Sequence, residues 1–187
     1  MREAEMFLRA DQAFTDAVNM IDDEQWEEMV PSTPDWSVRE LVNHVALNNL
    51  SLTEGAHMTA EPGTDVLGEE PAERWTEIAE AAEELAETAD ETMATSLAAQ
   101  TGDRLLHLWD LNGALGRSQV MDPKVVQFAY DFMLPRAYQL ANSDAVGPVV
   151  PVSDDADVSA KILGLSGRDP GVSEGDIHTT LGNDRSV

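Results

Sequence analysis

The chain has 187 residues, enough for one domain with a tail, and its 42% of hydrophobic residues can form a core. Its 36 acidic and 11 basic residues leave a formal net charge of -25, which repels nucleic-acid phosphates and anionic membranes alike. The chain has no cysteine, which excludes disulfides, cysteine nucleophiles and thiolate-ligated metal sites.

The N-terminal stretch MREAEMFLRADQAF lacks the uninterrupted apolar run of a signal peptide. Phe7, Ala10, Phe14, Val18 and Ile21 recur at three and four and predict a first helix over residues 2–21. Residues 22–30 add a helical turn around Trp26 and Met29, and Pro31 and Pro34 end it. Ser37 and Glu40 form a capping box before a periodic apolar segment, so a second helix is predicted from there to about residue 58, with Val38, Leu41, Val42, Val45 and Leu52 inward. A loop bounded by Glu61-Pro62-Gly63 and by Gly68 to Pro71 follows. Residues 71–97 read as a third helix, with Trp75, Ile78, Ala82, Leu85 and Ala89 on the buried edge. Thr101-Gly102 is expected to break that pattern, and a fourth helix runs on to about Leu115, with Gly116 as its C-cap. Asp122-Pro123 opens a fifth helix that reaches about Asn142 and is kinked at Pro135. Residues 147–152 are extended, and a short helix is expected over 155–163. Beyond them the chain is polar, Gly-rich and weakly patterned. The expectation is an all-α four-helix bundle with additional short helices over residues 1–170, and a disordered tail over 171–187.

The chemistry concentrates in the stretch GDRLLHLWDL, residues 102–111. On a helix, Asp103 and His107 lie within about 40° of each other, and Asp110 about 60° from His107. A carboxylate and an imidazole one turn apart can hold one metal ion, and with a third ligand from another helix they leave positions open for chemistry. His44, at the border of the second helix's apolar stripe beside Asn48 and Ser51, is the candidate for that third ligand. The same spacing also suits an ordinary ion pair worth roughly 0.3–0.5 kcal/mol on a helix surface, and His44 alone suits a hydrogen-bonded interface histidine. Asp110 reads either as a carboxylate that orients a ligand histidine or as a partner for Arg117 or Arg104. His57, about 220° round the helix from His44, is expected at the surface. The tryptophans read as core and cleft wall.

Three segments resemble the DinB-like superfamily, in the branch related to the N-terminal domain of mycothiol-dependent maleylpyruvate isomerase. Residues 33–45, TPDWSVRELVNHV, are similar to T-P-x-W-x-V-R-x-L-V-N-H-V. Residues 103–111, DRLLHLWDL, are similar to D-L-L-V-H-G-W-D-L. Residues 147–152, GPVVPV, together with 163–170, are similar to that branch's closing G-P-x-V-P-V and L-G-R-D-P, and Asp65 to Gly68 resembles its D-x-L-G loop. The resemblance implies a four-helix bundle holding a divalent metal through His44, Asp103 and His107, with Asp110 behind His107. Zinc is the first expectation for that metal, with nickel or iron as alternatives. The resemblance further implies a transferase or isomerase that joins a low-molecular-weight thiol to a small-molecule electrophile, with no catalytic acid or base identified. The alternative is a non-catalytic or stress-related protein with a structural metal. Two departures stand out: Leu108 follows His107 where the branch favours Gly, and a segment that is longer in relatives is reduced here to residues 95–102.

The expected setting is cytoplasmic, with no nucleic-acid or membrane partner, and the bundle leaves a homodimer open. Self-repulsion at this charge costs stability that salt screening restores. The melting temperature should therefore rise between low and molar salt; a flat profile would remove any link between the acidic surface and a salt-rich environment.

Overall fold

The computed structural model describes residues 1–54, 63–142 and 146–171. The apolar stripe of the first segment forms helix α1, Arg2–Val18, with Phe7, Phe14 and Val18 fully buried. A 3-10 turn, Asp23–Glu27, follows. Helix α2, Val38–Glu54, starts at the expected capping box. Ser37 N–H donates to Glu40 Oε2 at 2.8 Å, and Glu40 N–H donates back to Ser37 Oγ at 3.2 Å. The predicted extension of this helix to residue 58, and His57 with it, lie outside the described residues. Helix α3, Pro71–Thr88, faces the core with Trp75, Ile78, Ala79, Ala82 and Ala86. Helices α1, α2 and α3 pack with α4, Ala94–Ala114, as a four-helix bundle.

The boundary between the third and fourth helices differs from expectation. The chain turns at Ala89 and Asp90, whose backbones are extended, and a 3-10 turn, Glu91–Met93, leads into α4. Asp90 causes the break by accepting from Thr92 N–H at 2.9 Å. Thr101 and Gly102 therefore lie inside α4. Thr101 Oγ returns its hydrogen bond to Leu97 O at 2.7 Å, and Gly102 leaves room for Met133, whose sulfur lies 3.4 Å from where a Cβ would stand. A mid-helix glycine costs about 1 kcal/mol in propensity, which the close packing of the next helix offsets. Residues 95–102 thus lie in the first turns of the helix that carries Asp103 and His107.

Helix α5, Pro123–Met133, is capped by Asp122 and packs on α4. The expected kink at Pro135 appears as a 3-10 turn, Leu134–Arg136, before the short α6, Ala137–Leu140. The last helix, α7, Val158–Leu165, packs on α5 and starts three residues later than predicted, at the Asp157 cap. Among the described residues there is one isolated antiparallel bridge, Met29 with Ser37, and no strand. No helix among them is long and apolar enough to cross a membrane. The expected tail lies outside the described residues from 172 onward.

The C-terminal segment around α7 depends on close backbone contact. Val150 N–H donates to Gly164 O at 2.9 Å. Gly167 sits at φ +83°, and a Cβ there would come within 2.6 Å of the Gly147 backbone. Gly167→Ala should cost more than the ~1–2 kcal/mol of a left-handed residue, because a backbone neighbour must also move. Urea unfolding checks this; a loss below about 0.5 kcal/mol would show that the segment does not depend on the contact.

Candidate metal centre

His44 on α2 and Asp103 and His107 on α4 meet on the inner side of the bundle. One ligand atom from each residue lies within 4.8 Å of the others. Asp103 Oδ1 is 3.5 Å from His44 Nε2 and 3.5 Å from His107 Nε2. Two ligands at ~2.0–2.1 Å from a tetrahedral ion stand about 3.4 Å apart, so the donors are already spaced for one cation. Two neutral nitrogens and one carboxylate oxygen suit zinc and also divalent nickel or iron.

The local sequence explains how each donor is aimed. Asn48, one turn after His44, donates to Asp103 Oδ2 at 2.9 Å and lies 3.2 Å from His44 Nε2. That bond occupies Oδ2 and leaves Oδ1 facing both imidazoles. Trp36, presented by the turn after Pro34, covers the pair, its ring centroid 5.0 Å from that of His44 and 5.9 Å from that of His107. The turn is held by Trp36 N–H to Thr33 O at 2.8 Å and Val30 N–H to Trp36 O at 2.9 Å. Among the tryptophans, Trp36 is the cleft wall, while Trp75 and Trp26 are core.

Asp110 stands behind His107, its Oδ2 3.0 Å from His107 Nδ1. Of its two expected roles, the structure supports the orienting one. Arg117 instead donates to Ala17 O at 2.9 Å and to Met20 O. Arg104 turns to the opposite side of α4, where it pairs with Asp11. The cation on Asp110 is Arg168, and Ser32 Oγ donates to Asp110 Oδ1 at 2.5 Å. Sequence reasoning named neither of these, nor Asn48 as a link between two candidate ligands. The first two lie 58 and 78 residues from Asp110. Asn48 alone carried a signal, its i, i+4 spacing from His44.

The cluster shifts its own titrations. Burial opposes the charge on Asp103, yet the hydrogen bonds with His107 and His44 hold its carboxyl well below the usual range. Burial also disfavours the His107 imidazolium, but Asp103 and Asp110 outweigh it and raise it to about 9. Asp110 is likewise opposed by burial and lowered to about 2 by His107 and Arg168. In the metal-free protein the His107 contribution is complete below its ordinary 6.5 and is lost as pH rises through about 9. The Asp110 contribution is complete above 3.8 and is lost as pH falls through about 2. Chelator-treated protein should therefore lose urea stability between pH 6.5 and 9, and a flat profile there would show that His107 carries no charge in the cluster.

Two cavities adjoin the cluster. One of about 350 Å³ is lined by Trp36, Arg39, Glu40, Asn43, His44 and Asp65 among others. The other, of about 180 Å³, is walled by Leu106, Phe132, Met133 and Leu140 and reaches Asp103 and His107. The loop beside the first is pinned to α2, because Asn43 accepts from Val66 N–H at 2.8 Å and Arg39 pairs with Asp65 at 2.7 Å. Leu108, where the branch favours Gly, is buried in the core cluster that includes Leu111 and Trp75.

The family model described as the mycothiol maleylpyruvate isomerase N-terminal domain matches residues 7–134. No curated protein and no solved structure matches the chain.

Proposed function

The chain belongs to the mycothiol maleylpyruvate isomerase N-terminal domain family, and from that premise we propose that it binds a divalent metal through His44, Asp103 and His107 and acts as a low-molecular-weight-thiol-dependent transferase or isomerase. The observation that carries this reading is the convergence of three donors from two helices at separations matched to one ion. Zinc is the first expectation, ahead of nickel and iron. When bound, such a cation supplies the positive charge that keeps a coordinated thiol as thiolate at neutral pH.

The protein's own residues do the rest. Asn48 fixes the free oxygen of Asp103, and Asp110 fixes the ring of His107. Trp36 packs against the two imidazoles. The cavities on either side of the cluster offer one place for a thiol and another for a small electrophile. With no cysteine in the chain, the sulfur nucleophile must come from a cosubstrate.

The test is metal analysis of protein purified without chelators, followed by titration of the loaded protein with mycothiol, bacillithiol, γ-glutamylcysteine and glutathione. Saturable binding of one thiol, lost in His44→Ala, is the expected result. Absence of stoichiometric metal would overturn the reading. A loaded protein that binds none of the thiols would be a metal-binding protein without this chemistry.

A further inference from the structure

The closing segments, residues 147–152 and 163–170, lie beyond the family-matched residues 7–134, and the three-donor cluster does not include them. Their packing has one outcome at the site. Gly147, Gly164 and Gly167 let the two backbones touch, and Arg168 N–H then donates to Leu163 O at 2.9 Å. This turn delivers the Arg168 guanidinium onto Asp110. Arg168 Nε donates to Asp110 Oδ1 at 2.8 Å and Nη2 donates to Oδ2 at 2.5 Å. The geometry is a two-pronged fork on a carboxylate that is 1% exposed.

We propose that Arg168 is a positioning residue of the metal centre, and that the C-terminal segment docks as a strap whose attachment is coupled to metal occupancy. The fork and Ser32 together fix the carboxylate plane of Asp110. Asp110 Oδ2 then faces His107 Nδ1, which sets that nitrogen as donor and leaves Nε2 for the ion. Without the fork, the buried carboxylate would keep only Ser32 and His107 as partners, and the ring it orients would be held less firmly in its tautomer and direction. Coupling follows by linkage: if strap docking favours the ion, the ion favours strap docking by the same factor.

This inference rests on the metal reading above, and its test separates the two. Co²⁺ is titrated into the full-length wild type, Arg168→Gln and Arg168→Lys, with affinity and the visible ligand-field spectrum as readouts. Hydrogen exchange of residues 147–170 is followed with and without Co²⁺. Arg168→Gln should bind Co²⁺ ~10–100-fold more weakly with a shifted spectrum, and Arg168→Lys should recover part of both. The ion should slow exchange in the strap of the wild type and do so much less in Arg168→Gln. If circular dichroism shows Arg168→Gln unfolded, Ser32→Ala, which removes a different bond to the same carboxylate, should weaken binding and shift the spectrum in the same direction. Unchanged affinity and spectrum in a folded Arg168→Gln, or in Ser32→Ala where that variant decides, would overturn the positioning role. Strap exchange indifferent to Co²⁺ would overturn the coupling. A wild type that takes up no Co²⁺ would overturn the metal reading and this inference with it.

Discussion

His107→Ala is expected to abolish stoichiometric metal uptake while leaving the bundle folded. The substitution removes one of three donors and leaves Asp103 Oδ1 facing only His44, 3.5 Å away. Loss of an outer partner of a ligand costs ~10–100-fold in affinity, so loss of a ligand itself should cost more than that. The fold should survive because the neighbouring carboxylates keep other partners: Asp110 keeps Arg168 and Ser32, and Asp103 keeps Asn48. Calorimetric titration with Zn²⁺ and circular dichroism measure the two halves of the expectation. The variant should also lose the decline in metal-free stability between pH 6.5 and 9, because the group responsible is gone. A folded variant that binds Zn²⁺ as tightly as the wild type would remove His107 from the site.

The largest loss of stability is expected from Asp11→Ala. Arg104 is 0% exposed in the interior of the bundle, where its Nε donates to Asp11 Oδ1. Its other donors reach Asn49 Oδ1 and Gln100 Oε1, the latter at 2.7 Å, and the guanidinium stands 4.6 Å from the Phe7 ring centroid. Removing Asp11 leaves a buried cation without its counter-charge, which costs ~3–5 kcal/mol. The double replacement Asp11→Leu with Arg104→Met should lose much less, since a buried pair exchanged for apolar residues of similar volume is often close to neutral. Urea unfolding of the three proteins decides the matter; a loss below about 1 kcal/mol in Asp11→Ala would show that Arg104 finds another partner or water. Arg104 follows Asp103 directly in the sequence, so one turn of α4 carries both a candidate metal ligand and the interior cation that pairs with Asp11.

Much of this was legible in the residues because it is local. Apolar residues at three and four place Phe7, Phe14, Trp75 and Val125 inward without reference to the rest of the chain, and the Ser37 and Glu40 cap starts α2 by itself. The helix carrying Asp103 and His107 aligns their side chains by its own geometry. The misplaced break between α3 and α4 shows the limit of that logic. Thr101-Gly102 carries a helix-breaking signal, but the decisive contacts are the Asp90 cap and the seat that Gly102 offers Met133 from α5.

Helix periodicity and capping act within about one turn, so the residues alone identify a helical bundle with an acid–histidine pair one turn apart and a second histidine on another helix. Helix packing is what brings the three candidate donors together, lets Asn48 tie two of them to each other, and gives Asp110 to Arg168 rather than to Arg104 or Arg117. Those choices depend on which helix faces pack and where distant segments return, and a hydrogen bond across 58 residues leaves no periodic trace in the chain that makes it.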